Sequence, residues 1–155
     1  FDHENDFVVV SPDVGSVARA RNFAQKVHMN LAIVDKRRPK ANVSEVMNII
    51  GDVAGKTCIL YDDMVDTAGS LCNAARALIE VGGAKEVYAC ATHGVLSGQA
   101  FARIDASCLK EVVIHNTIPL TRNTASNKIK QLDVAPIFAR AISHVHGGTS
   151  IADLF

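Results

Sequence analysis

Tryptophan is absent from this chain of 155 residues, and aromatic residues make up only 5% of it. Since 48% of the residues are hydrophobic, the interior must be aliphatic and rich in alanine. An excess of either charge is missing too. Sixteen basic residues balance sixteen acidic ones, so nothing in the charge points to a nucleic-acid or membrane surface. Cysteine is sparse: Cys58, Cys72, Cys90 and Cys108 stand far apart with no C-x-x-C. Neither a zinc site nor a disulfide framework fits that spacing, whereas a reducing, cytoplasmic setting does. Cys72, near an expected helix start, is read as packing rather than as a reactive thiol. No apolar run approaches the roughly 20 residues that a membrane span needs.

Two nucleotide motifs are also lacking. The stretch Gly51-Asp52-Val53-Ala54-Gly55-Lys56-Thr57 is one residue short of a P-loop, and a strand follows it where that motif must open a helix. It reads as a turn joining strands. No G-x-G-x-x-G follows a strand, so a dinucleotide site has no support.

What is present is alternation. Apolar β-branched runs at 7–10, 31–34, 46–50, 57–61, 86–92, 111–115 and 129–132 read as strands. Helical patterns at 15–27, 70–81, 98–104, 135–146 and 150–155 fall between or after them. The runs at 46–50 and 57–61 are expected to be joined by a tight glycine-containing turn. A length of 155 residues suits one domain with a real core. The expected fold is α/β: a doubly wound, mainly parallel sheet with helices on both faces and ligands at the carboxyl ends of its strands. The chain opens on Phe1 rather than Met and is expected to be a fragment, so the missing signal peptide carries little weight.

The most informative stretch is Cys58-Ile59-Leu60-Tyr61-Asp62-Asp63-Met64-Val65-Asp66-Thr67-Ala68-Gly69-Ser70-Leu71. An apolar strand delivers two adjacent carboxylates, and a Thr-Ala-Gly-Ser turn then opens a helix. A helix start leaves about four N–H groups unpaired and carries partial positive charge. With Gly69 for close approach and the hydroxyls of Thr67 and Ser70, the turn suits a phosphate. Carboxylates repel phosphate oxygens, so Asp62 and Asp63 suit sugar hydroxyls, directly or through a divalent metal. Asp66 is expected to cap the turn. An ordinary acidic turn with a helix cap is the plainer reading, and the order strand, acids, glycine turn, helix argues against it.

Two further stretches bear on chemistry. Asp35-Lys36-Arg37-Arg38-Pro39-Lys40 leaves the second strand as a basic loop, with Pro39 preventing a helix. A solvated loop is the ordinary reading of such a run. Its place at the same edge as the acids favours an arm that closes over a polyphosphate. Val10-Ser11-Pro12-Asp13-Val14-Gly15-Ser16 is a second strand-to-helix turn. There Asp13 either caps the helix or lends an oxygen to Mg²⁺.

Together these segments resemble the ribose-phosphate pyrophosphokinase family. The acidic stretch is similar to the phosphoribosyl-diphosphate motif that this family shares with type I phosphoribosyltransferases. The Lys-Arg-Arg-Pro loop resembles the catalytic loop found in the pyrophosphokinases. The Ser-Pro-Asp segment resembles their magnesium-binding stretch, with Ser16 in place of the commoner second glycine. Ala91-Thr92-His93-Gly94 and the ending Thr149-Ser150-Ile151-Ala152-Asp153-Leu154-Phe155 are also similar to the family.

The resemblance implies a type I phosphoribosyltransferase-like domain over residues 1–155, the C-terminal one of two in the whole enzyme. It implies transfer of the β,γ-diphosphoryl group of ATP to the C1 hydroxyl of ribose 5-phosphate, with Mg²⁺. Lys36 and Arg38 would be catalytic, and Asp13 would bind the metal. Asp62, Asp63, Asp66, Thr67, Ala68, Gly69 and Ser70 would hold ribose 5-phosphate. His93 would shape the site. Expected partners are ATP, ribose 5-phosphate and further copies of the chain, in a hexamer when full-length, with no nucleic acid or membrane. The fragment alone is expected to be inactive. The alternatives are a type I phosphoribosyltransferase, for which no base-recognising hood is visible, a non-catalytic regulatory subunit of the synthetase complex, or a sugar-phosphate binding domain without turnover.

Overall fold

Val8, Val9 and Val10 form the middle of the first strand, β1 (Phe7–Ser11), and all three are buried. β-branched side chains favour the pleated backbone and alternate between its faces. Val8 and Val10 accordingly enter a large core, while Val9 packs with Ala20, Ala24, Phe23 and Tyr61 on the opposite face. One short run therefore anchors helices on both sides of a sheet.

The computed structural model describes residues 6–37, 46–120 and 126–154. In chain order the elements are β1, α1 (Val17–Lys26), β2 (Asn30–Arg37), β3 (Val46–Ile50), β4 (Thr57–Val65), α2 (Gly69–Glu80), β5 (Glu86–Gly94), α3 (Ala100–Ala106), β6 (Leu109–His115), β7 (Ile129–Leu132) and α4 (Ala135–His146), with a closing 3₁₀ turn at Ala152–Leu154. The sheet has seven strands in the order β3-β2-β1-β4-β5-β6-β7, parallel except for β3. Among the described residues, no helix is long and apolar enough to cross a membrane.

Two expectations change. The runs at 46–50 and 57–61 are strands but not neighbours, because β3 pairs antiparallel with β2 at the sheet edge. The connection after β3 then passes the ends of β2 and β1 to reach β4. Gly51 makes that passage possible: its φ is +114°, and an added Cβ would lie 2.9 Å from the Ala32 Cβ. The second change concerns the basic stretch. β2 runs on through Lys36 and Arg37, which pair with Met47 and Val46, so both stand on a strand rather than in a loop.

The strand order reverses direction between β1 and β4, which is where doubly wound sheets bind ligands. β1 leads through α1 to β2 on one side, and β4 leads through α2 to β5 on the other. Val10 of β1 is level with both Ala32 and Leu60. Counting on two and three residues puts Asp62 and Asp63 of β4 level with Val34 and Asp35 of β2. β1 has already ended at Ser11, so β2 and β4 flank a notch about 9.5 Å wide, two strand spacings. The turn between β1 and α1 forms its floor.

Cover is uneven elsewhere. On the Val9 side, a groove of about 380 Å³ over β4, β5 and β6 is lined by residues including Phe7, Ile59, Tyr88 and Val113. α4 buries none of its residues, and Ile137, Phe138, Ile142 and Val145 stand exposed along it.

Candidate functional site

Asp62 and Asp63 are the sixth and seventh residues of β4, which continues to Val65. They stand at the notch rather than in the core: their side chains are 23% and 41% exposed. Gly69 opens α2 just past the end of the same strand, so the acids and the helix start share one rim.

The conformational demand of the turn falls on a different residue than expected. Ala68 holds φ +60°, the left-handed region that L-residues avoid at a cost of about 1–2 kcal/mol. Gly69 has no such φ, and its nearest neighbours to an added Cβ are Arg103 Nη1 and Thr67 Oγ1, both at 3.9 Å. Space beside Gly69 is therefore open. Arg103 of α3 donates from Nη1 to the Thr67 carbonyl at 2.8 Å, which puts a cation beside the helix start. No side chain caps α2. Asp66 instead accepts the Ser97 hydroxyl, while its carbonyl accepts the Ser97 N–H at 3.1 Å. That pair of bonds ties the turn to the loop before α3.

Asp13 braces the turn ahead of α1, whose N-cap is Ser16. Its Oδ1 accepts the Ser16 N–H at 2.8 Å, and its carbonyl accepts the buried Ser11 hydroxyl at 2.7 Å. Ser16 holds an ordinary φ of −87°, so no glycine is required there. Its hydroxyl donates to Asp62 Oδ1 at 3.1 Å, and Asp62 Oδ1 also accepts the Asp63 N–H at 2.9 Å. The floor of the notch is thus bonded to its wall.

Arg19 of α1 escaped the sequence reading. Its Nη1 donates to Asp63 Oδ2, and its Nη2 stands 3.7 Å from Asp62 Oδ1. The signal available was its spacing, three residues after Ser16 and so on the same helix face. These charges split the two acids. Burial pushes Asp62 above the ordinary carboxylate value, and the neighbouring Asp63 carboxyl pushes the same way. Desolvation raises Asp63 as well, but its bond to Asp62 and the Arg19 guanidinium outweigh that and hold it low.

Lys36 stands exposed on β2, across the notch from the acids, while Arg38 lies outside the described residues. His93 shares its Nδ1 with the Thr117 hydroxyl at 2.9 Å, and that hydroxyl donates to the Thr92 carbonyl at 3.2 Å, a structural link near the end of β5. Cys72 is buried and its thiol is pushed up by desolvation, which supports packing over reactivity. Among the described residues, no group of three or more His, Cys, Asp or Glu side chains could hold a metal by itself. Asp13 offers a hard carboxylate oxygen at the rim. That suits a cation held mainly by waters and a ligand's phosphates.

The family model for the phosphoribosyl synthetase-associated domain matches residues 35–155. The chain belongs to this family. Within the phosphoribosyl synthetase-associated family, curated relatives include a ribose-phosphate pyrophosphokinase of Clostridium tetani, 59% identical over 155 residues. That alignment takes in 100% of this chain and 48% of the relative. A ribose-phosphate pyrophosphokinase of Caldanaerobacter subterraneus is 62% identical over 151 residues, 97% of this chain and 48% of its own. The chain thus spans about half the length of these relatives. A crystal structure of phosphoribosylpyrophosphate synthetase from Mycobacterium smegmatis superposes with a TM-score of 0.83 at 41% identity, over 93% of this chain and 46% of that one. An adenine phosphoribosyltransferase structure shares the fold, with a TM-score of 0.53 at 19% identity over 71% of this chain and 66% of its own.

Proposed function

We propose that this phosphoribosyl synthetase-associated chain is the sugar-phosphate half of a two-domain ribose-phosphate diphosphokinase. The observation that carries the reading is the shared rim: Asp62 and Asp63 flank the notch, and the start of α2 lies just beyond them. Amides at Thr67, Ala68, Gly69 and Ser70, with the nearby Arg103, suit the 5-phosphate of ribose 5-phosphate. The acid pair suits its vicinal hydroxyls, and Asp66 braces the turn through Ser97. Relatives of this chain named as ribose-phosphate pyrophosphokinases support the same reaction.

In that reaction the C1 oxygen of the sugar bonds to the β-phosphorus of ATP as the bridge to AMP breaks. Lys36, across the notch, and Arg38, which lies outside the described residues, would neutralise charge that builds on the transferred group. Mg²⁺, when bound, would supply charge neutralisation at the phosphates. Asp13 would contribute one oxygen toward it. A full-length homo-oligomer in the cytoplasm belongs to the same proposal. Calorimetry on this chain should detect weak ribose 5-phosphate binding, while AMP release from ATP plus ribose 5-phosphate should require the remaining half. In the full-length enzyme, Lys36→Ala should retain sugar affinity and lose at least tenfold in turnover. Normal turnover in that variant would remove Lys36 from the mechanism, and no sugar binding by the chain would sink the reading of the notch.

A further inference from the structure

The first turn of α1 places two polar side chains on one helix face, and both meet the acid pair. Ser16 Oγ lies 3.1 Å from Asp62 Oδ1, and Arg19 Nη2 lies 3.4 Å from that same hydroxyl. The other arm of the guanidinium bonds Asp63. One hydroxyl and one planar cation therefore touch both carboxylates, across 46 residues of sequence from Ser16 to Asp62. Adjacent carboxylates repel each other; on β4 the Asp63 N–H donates to Asp62 Oδ1, and the positive charge that meets the pair comes from Arg19 of α1. A guanidinium presents several donors in a fixed fork, so it can hold two acids in one relative orientation, where an ammonium supplies only a point charge.

We propose that Arg19, braced by Ser16, is a positioning residue that keeps Asp62 and Asp63 together as a paired acceptor for two neighbouring hydroxyls of a ligand. The inference rests on the sugar-phosphate reading of the notch and adds what makes it selective for a diol. Arg19 is 49% exposed and reaches the acids from α1, so it can hold them from the helix side without filling the turn where the anion would sit. A single carboxylate can accept two hydroxyls in many arrangements, whereas an aligned pair fixes the spacing and direction at which two are accepted.

Carboxyl-carbon NMR on the full chain without ligand tests the clamp directly. Arg19→Ala should move the Asp63 titration upward by about one pH unit or more, and Arg19→Lys should restore part of that shift. Calorimetry with ribose 5-phosphate and with 2-deoxyribose 5-phosphate tests the consequence. Arg19→Ala should lose roughly tenfold or more in affinity for the first sugar and much less for the second. An unmoved Asp63 titration in a folded Arg19→Ala chain would overturn the proposal even if no sugar binds. Equal losses for both sugars would overturn it too, and so would tighter ribose 5-phosphate binding by the variant. Failure of the wild-type chain to bind either sugar while the titration shifts as expected would reject the sugar-phosphate reading and leave the clamp standing.

Discussion

Ser16 Oγ donates to Asp62 Oδ1 at 3.1 Å, which bonds the first turn of α1 to the acid end of β4. Ser16 is buried and its backbone is unstrained, so a glycine there would gain nothing conformationally. Ser16→Gly removes the hydroxyl and adds unfolded-state freedom. The expected loss is about 1–2 kcal/mol in urea unfolding. Asp62 should also titrate higher, because the serine bond favours its ionised form.

The acid pair gives a pH signature. Asp62 is raised above 3.8 and Asp63 is lowered below it, so the first proton added on acidification goes to Asp62. Sugar affinity should begin to fall above pH 3.8, earlier than an ordinary Asp would allow. Stability responds with opposite signs. The lowered Asp63 supports the fold above 3.8, and that support is lost as pH falls through its folded value. The raised Asp62 favours the fold when protonated, and that favour is lost as pH rises from 3.8 through its folded value. The two windows lie on opposite sides of 3.8, so these two acids by themselves give greatest stability near that pH, and site-resolved NMR should assign each limb to its residue.

Gly69 separates stability from binding. It has no left-handed φ, and its surroundings leave room for a methyl group. Gly69→Ala should hold or raise thermal stability by up to about 1 kcal/mol, since alanine suits a helix better. The same methyl would stand where an anion meets the α2 amides. Ribose 5-phosphate affinity should drop by calorimetry although Tm does not. A variant that binds normally would remove the phosphate from this turn.

Gly82, just past the other end of α2, predicts the reverse. An added Cβ would lie 2.7 Å from the Leu78 carbonyl oxygen and from Val53 Cγ2, and 2.8 Å from Ile49 Cδ1. Gly82→Ala should cost about 1–3 kcal/mol, read as a lower Tm. Ligand affinity below the transition should stay unchanged, because the rim with Asp62 lies at the opposite end of the helix.

Thiol chemistry should single out one residue. Cys108 is exposed, whereas burial pushes Cys58 and Cys90 up to about 11 and raises Cys72 as well. At pH 7.5 a small thiol reagent should label Cys108 well before the other three, as peptide mapping by mass spectrometry would report. Rapid labelling of Cys72 would contradict its packing role.

Much of this was legible from periodicity. The strand at 129–132 and the helix at 135–146 match their expected bounds, because each apolar pattern ends on a clear stop. The strand at 46–50 keeps its bounds too, whereas β1, β2, β4, β5 and β6 lengthened: β4 runs past Tyr61 because Asp62, Met64 and Val65 still face residues of β5. Lys36 and Arg37 read as loop for want of apolar character, yet β3 supplies backbone partners that no local pattern announces. Pairing of β3 with β2 rather than β4 is a choice between two edges, which neither run encodes. Arg19 stayed hidden for a related reason. Its role depends on two acids more than 40 residues away, and helix spacing alone marks it as one more exposed cation.

The antiparallel β2–β3 pair fixes the footing of one cation. Lys36 stands opposite Met47 in the ladder, so its backbone is held by the sheet edge and only its side chain is left to move. Its charge can travel toward the notch no farther than a stem of four methylenes carries it.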